Sequence, residues 1–337
     1  MALGLAALCA APAHAGPYSG LFIFGDSLSD SGNNALATAP LTTLPNGVPQ
    51  LITGNSYIPS FPYKPQPGWN NAAGFATYSN GNTWATAFAA QLGASALPSL
   101  AGGTNFAFGG ARISVDGSPN NFPPSLNTQV AIALGALGPL DSDALYVVAG
   151  GGNDARDVLS QVTPAMTPPD ITNLFLAAAA QFAADIDGLV DKLQLAGAKD
   201  IVVWNVPNLG IAPAVTAQGP TASFLGSTLA AAMNAALELA LQDDVDVSIF
   251  DLFGLVTTVD SNPGAFGLVN TNDACGAASN NCSPSTALFW DGIHPTAAGH
   301  QLLAAAMFAQ VVPEPGSVWL VMAGLVGIGR VLRRRTA

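Results

Sequence analysis

The chain has 337 residues, half of them hydrophobic and only 9% charged, with a formal net charge of −12. That length and apolar content allow one large α/β domain, or two smaller ones, around a sizeable core. An acidic chain of this kind repels phosphate backbones and anionic surfaces, which excludes nucleic-acid binding as its function.

Residues 1–15 are an apolar stretch closing on Ala13-His14-Ala15, the small-x-small pattern that precedes secretory cleavage. The positive segment of such a signal is missing, since Lys64 is the first basic residue, which points to a start codon further upstream. Cys9 follows Leu8, a poor lipobox position, so no lipoprotein is expected. Leu21-Phe22-Ile23-Phe24 reads as a buried strand, followed at once by Gly25-Asp26-Ser27-Leu28-Ser29-Asp30-Ser31-Gly32-Asn33. A polar region rich in Gly, Pro and Asn runs to about residue 82, and 83–92 then reads as a helix ending at Gly93. Strands are expected at 144–149, 201–204 and 245–250, and helices at 171–195, 225–241 and 296–310. Strands separated by helical lengths imply a parallel sheet with helices on both faces. Right-handed crossovers send all strand C-termini to one edge. Three connections, about 28–82, 111–130 and 254–290, exceed ordinary loop length and are expected to shape a cleft at that edge. Tyr57, Phe61, Tyr63, Trp69 and Phe75 either line this cleft or pin the first loop to the domain surface.

Ser27 lies just past a strand end, where open α/β folds place reactive groups. Once the leader is removed, His294 and His300 are the two remaining histidines. Asp291 stands three residues before His294, in the turn ahead of Pro295. A carboxylate so placed accepts the proton on one imidazole nitrogen and leaves the other to act on a serine hydroxyl. His300 reads as a structural or surface residue, and a metal site from Asp291, His294 and His300 has no supporting spacing. Asn105-Phe106-Ala107-Phe108-Gly109-Gly110-Ala111 and Gly150-Gly151-Gly152-Asn153-Asp154 bring backbone N–H groups and an amide side chain to the same edge. Those are the donors a developing oxyanion needs. Each segment taken alone reads equally as a tight turn.

The four motifs in this order resemble the GDSL, or SGNH, hydrolase family of esterases and lipases. The matching residues are Gly-Asp-Ser-Leu at 25–28, the glycine segment at 105–111, Gly-x-Asn-Asp at 151–154 and Asp-x-x-His at 291–294. Further similarity lies at Tyr78-Ser79-Asn80-Gly81-Asn82-Thr83-Trp84 and at His294-Pro295-Thr296-Ala297-Ala298-Gly299-His300. The resemblance implies a flavodoxin-like three-layer sandwich, a five-stranded parallel sheet with helices on both faces, and no metal or other cofactor. It places the nucleophile on Ser27, the base on His294 and the orienting acid on Asp291. The oxyanion donors fall on the backbone N–H of Ser27, the backbone N–H of Gly110 and the side chain of Asn153. The choice of Gly110 over Gly109 rests on spacing from Asn105. The implied activity is hydrolysis of carboxylic esters, of lipid or acylated carbohydrate, through an acyl-enzyme. The alternatives are a carbohydrate O-acetylesterase acting on exopolysaccharide and a non-catalytic envelope or matrix protein.

Val312-Pro313-Glu314-Pro315, an uncharged run of 14 residues from 316 to 329, and Arg330, Arg333, Arg334 and Arg335 resemble the PEP-CTERM sorting tail of Gram-negative bacteria. The run falls short of the ~20 residues that span a bilayer comfortably. This resemblance implies export to the cell envelope or beyond, transient inner-membrane contact through the tail, and cleavage by an exosortase-type peptidase. The chain then divides into a signal peptide (1–15), a hydrolase domain (16–312) and a sorting tail (313–337). The middle part holds five basic residues, Lys64, Arg112, Arg156, Lys192 and Lys199, against twenty acidic ones. In an oxidising compartment Cys275 and Cys282 read as a local disulfide fixing the loop before Asp291, with two free thiols as the alternative.

Overall fold

The computed structural model describes residues 17–42, 76–277 and 280–312. The leader, the sorting tail and the five aromatic residues from Tyr57 to Phe75 lie outside the described residues. Four regular strands, β1 (Leu21–Gly25), β2 (Leu145–Ala149), β3 (Asp200–Trp204) and β4 (Val247–Phe250), pair in parallel in that order. The helices are α1 (Asn33–Thr42), α2 (Trp84–Leu92), α3 (Leu126–Leu137), α4 (Gly152–Leu159), α5 (Pro168–Leu195), α6 (Pro213–Thr216), α7 (Pro220–Ala240), α8 (Leu252–Ser261) and α9 (Ala297–Val311).

Every residue of β2 is buried, which is why it reads as a continuous apolar run rather than an alternating one. Successive side chains enter opposite cores. Phe24, Tyr146, Val148, Ile201 and Val203 pack against α3, α4, α5 and α7. Leu21, Ile23, Leu145, Val147 and Trp204 pack against α2, α8 and α9. The result is one α/β/α sandwich of three layers.

The expected fifth strand is present as a hydrogen-bonded segment rather than a regular strand. Ile23 N–H donates to Thr104 O, Phe106 N–H to Ile23 O and Phe108 N–H to Gly25 O, so residues 104–108 run parallel along the outer edge of β1. The regular pattern stops because Gly25 N–H donates to the Gln129 side chain instead of Phe106 O, while the Asn105 side chain accepts from Ala107 N–H and donates to Ser29 O. Counting this segment, the order across the sheet is 2-1-3-4-5, and the winding reverses beside β1. Open α/β sheets bind ligands at the strand C-termini next to such a reversal. Register places Gly25, Ala149 and Trp204 in one row, with Phe250 beside Trp204, so the residues after each strand share one rim.

Local chemistry sets the boundaries. α2 ends at Gly93, whose φ of 69° is left-handed. α5 begins three residues earlier than its apolar period indicates, because Thr167 and Asp170 form a capping box and Pro168 occupies the first turn. β4 begins only after Asp246, whose φ of 64° ends the extended backbone. α3 and α8 occupy parts of the stretches expected as long connections, which shortens both.

Candidate active site

β1 runs into a turn held by its own carboxylates. Asp26 accepts Leu28 N–H on its side chain (3.0 Å) and the N–H groups of Ser29 and Asp30 on its carbonyl. The Asp30 carboxylate accepts from Gly32, Asn33, Asn34 and, from the neighbouring segment, Gly109, at 2.7–3.2 Å. Burial pushes the Asp26 and Asp30 carboxyls up to about 6, against the pull of these donors. Gln129 of α3 brackets Gly25, accepting its N–H and donating to its carbonyl, both at 2.9 Å. Ser27 stands on this turn with 8% of its surface exposed.

His294 meets Ser27 from the far end of the chain. Its Nε2 lies 2.8 Å from Ser27 Oγ, and its Nδ1 lies 2.7 Å from Asp291 Oδ2. The other Asp291 oxygen accepts Ile293 N–H (2.9 Å) and His294 N–H (2.7 Å), so the carboxylate is fixed by the loop that carries it. Residues 78–80 fasten that loop to the body. The Tyr78 ring packs 5.2 Å from the imidazole, Ser79 Oγ donates to Pro295 O (2.9 Å), and Asn80 Oδ1 accepts Ala297 N–H (2.7 Å). Tyr78 also dictates Gly109, where a Cβ would sit 2.1 Å from the ring. Cys275 and Cys282 are disulfide-bonded. Cys275 and Gly276 donate their N–H groups to Phe289 O and Trp290 O, which ties the cross-linked loop to the residues just before Asp291.

Gly109 and Gly110 differ in what their N–H groups do. Gly109 donates to Asp30, whereas the N–H groups of Gly110 and Ser27 meet no acceptor among the described residues. Gly110 has φ 83°, a conformation natural to glycine. Asn153, at the start of α4, donates one amide proton to Ala111 O (2.9 Å) and keeps the other. Its Oδ1 accepts from Arg156 (3.2 Å), which fixes which way the amide faces. Arg156 was missed in the sequence; its signal is the spacing of three residues from Asn153 on one helix.

His300 is fully buried in α9, and its ring nitrogens have no hydrogen-bond partner among the described residues. Burial pushes its pKa down to about 3. Both ring nitrogens of His294 are engaged by Asp291 and Ser27, so Asp291, His294 and His300 do not combine as a ligand set. Among the described residues the one carboxylate group close enough to share a cation is Asp187, Asp191 and Asp244, near the surface. A hydroxyl bonded to an imidazole that is itself oriented by a buried carboxylate is an arrangement that activates a nucleophile.

The GDSL-like Lipase/Acylhydrolase family matches residues 21–307, and the PEP-CTERM protein-sorting motif matches residues 311–335. Esterase EstA of Pseudomonas aeruginosa is 31% identical over 342 residues, covering 89% of this chain and 48% of that protein. Lipase 1 of Photorhabdus luminescens is 30% identical over 215 residues, covering 64% of this chain and 26% of that protein. The chain thus spans about half the length, or less, of these curated relatives. Phospholipase A1 from Streptomyces albidoflavus aligns in structure with a TM-score of 0.40 at 15% identity, covering 87% of this chain and 99% of that one. With the family match running from residue 21 to residue 307 of the 337, the chain belongs to the GDSL-like lipase/acylhydrolase family.

Proposed function

We propose that this protein is a serine esterase that hydrolyses carboxylic esters through an acyl-enzyme. Ser27 Oγ attacks the ester carbonyl carbon as His294 Nε2 takes its proton, and Asp291 stabilises the imidazolium that forms. The tetrahedral oxyanion is held by the N–H groups of Ser27 and Gly110 and by the free amide proton of Asn153. The ester C–O bond then breaks, and His294 returns its proton to the departing alcohol. Water, deprotonated by His294, then attacks the acyl carbon; the bond to Ser27 Oγ breaks, His294 returns the proton to that oxygen, and the carboxylic acid leaves. The observation that carries this reading is the chain of contacts at 2.8 Å and 2.7 Å from Ser27 through His294 to Asp291. The names of the esterase and lipase relatives support the reaction class.

The sorting motif supports export from a Gram-negative cell, transient inner-membrane contact through residues 313–337, and trimming by an exosortase-type peptidase. The test of the activity is turnover of 4-nitrophenyl esters by the full chain and by Ser27→Ala. We expect Ser27→Ala to abolish hydrolysis with the fold intact by circular dichroism. Turnover by Ser27→Ala at the wild-type rate would refute the reading.

A further inference from the structure

A cavity of about 330 Å³ is walled in part by the chain neighbours of Ser27 and His294. Leu28, the residue after Ser27, lines it, as do Ile293 and Pro295 on either side of His294. Leu252 and Val256 of α8 and Leu303 of α9 also line it and are each less than 9% exposed, which marks its deep end. Ala214 and Val215 of α6 form a further wall, and Ala214 N–H donates to Gly292 O within the loop that carries His294.

The polar residues of this cavity are already engaged. Arg156 donates to Asn153, and Asp157 forms an ion pair with Arg112 at 2.6 Å. Asn208 accepts from Gly210 N–H and Ser227 Oγ, and it donates to Thr257 Oγ1. Ser160 donates to Asp157 O and Gln218 to Ala214 O. Side chains committed in this way leave a wall that is mainly hydrocarbon. A sugar placed against it loses hydration without regaining its hydrogen bonds. A polymethylene chain gains about fourfold in binding for each methylene removed from water. An acetyl group leaves nearly all of the space unfilled and forfeits those contacts.

We infer that this cavity receives the acyl chain of the substrate, and that the protein is selective for esters of medium and longer aliphatic acids over acetyl esters. The inference rests on the Ser27 reading and deepens it, since an acylated lipid then fits the site and an acetylated carbohydrate does not. The chain bound in the cavity holds the carbonyl carbon at Ser27, so its binding energy acts on kcat/KM.

The experiment measures kcat/KM of the full chain on 4-nitrophenyl acetate, butyrate and octanoate, with Ser27→Ala as control. We expect kcat/KM to rise about fourfold per added methylene until the cavity is filled. Val215→Trp, which occupies the cavity from its more exposed side, should lower the octanoate-to-acetate ratio at least tenfold. If that variant fails to fold, Ala214→Phe tests the same wall. Serine-dependent turnover with a flat or acetate-favouring profile overturns the inference and leaves the Ser27 reading standing. Ethyl and hexyl butyrate supply a further arm: a profile that follows the alcohol rather than the acid assigns the cavity to the leaving group and also overturns it. Absence of Ser27-dependent turnover across all the esters overturns both.

Discussion

Ser27 stands on a turn tied into the sheet, whereas Asp291 and His294 stand on a loop without regular structure until α9 begins. The first side is held by side chains reaching backbone groups: Asp26 and Asp30 within the turn, Gln129 across Gly25, and Asn33 donating to Asn105 O and Ala107 O. The second side combines ties from residues 79, 80 and 214 with bonds within its own loop. Trp290 N–H donates to His294 O, Thr296 N–H to Leu288 O and Thr296 Oγ1 to Ala287 O, and a disulfide anchors the neighbouring strand of chain. A strand end inherits its position from the parallel ladder, while an irregular loop has to obtain it from bonds within itself, ties from Ser79, Asn80 and Ala214, and a covalent link. The two sides should therefore respond differently to damage.

The largest expected loss after Ser27 itself is on the loop side. Asp291→Asn keeps the side-chain shape and an acceptor for the local N–H groups but no longer selects the imidazole tautomer that leaves Nε2 free. We expect a fall of about 10⁴ in kcat with little change in melting temperature, measured on the best ester of the acyl series. On the strand side, Asn153→Ala removes one of the proposed oxyanion donors and should lower kcat by roughly 10²–10³ with KM little changed. An unchanged kcat would remove Asn153 from the site. The smallest effect sharpens the contrast most. The double variant Cys275→Ser, Cys282→Ser should lose about 2.5 kcal/mol of unfolding free energy in denaturant titrations, by the chain-entropy account of a short loop. Its kcat should fall less than that of Asp291→Asn, because the backbone bonds from Cys275 and Gly276 to Phe289 and Trp290 remain.

The same contrast explains what was legible in the sequence. β1, β2 and β3 stood out because strands covered on both faces are uninterrupted apolar runs, and their order together with the crossover rule placed Ser27 and Asn153 at one rim. The pairing of Ser27 with His294, 267 residues apart, was reached through recurrence of family motifs, since no local period connects them. Residues 104–108 are not a regular strand because Gln129 takes the Gly25 N–H that a parallel ladder would give to Phe106 O. α4 has no helical signal in the sequence, because Gly150-Gly151-Gly152 masks the entry to a helix of only eight residues. Gln129 left no trace in the sequence, since it follows Asn127 and Thr128 in α3 and only its burial beside Leu126 and Val130 sets it apart. The tie from Ser79 to Pro295 joins residues 216 apart and left no local pattern at all.

The central claim is that Ser27 is the nucleophile, and covalent labelling tests it most directly. The full chain would be treated with a fluorophosphonate, which reacts with serines activated by a neighbouring base, and the adduct located by peptide mass spectrometry. The account predicts a single adduct on the peptide containing Ser27, lost in Ser27→Ala and in His294→Ala. An adduct on another serine, or full labelling of Ser27 in His294→Ala, would contradict it.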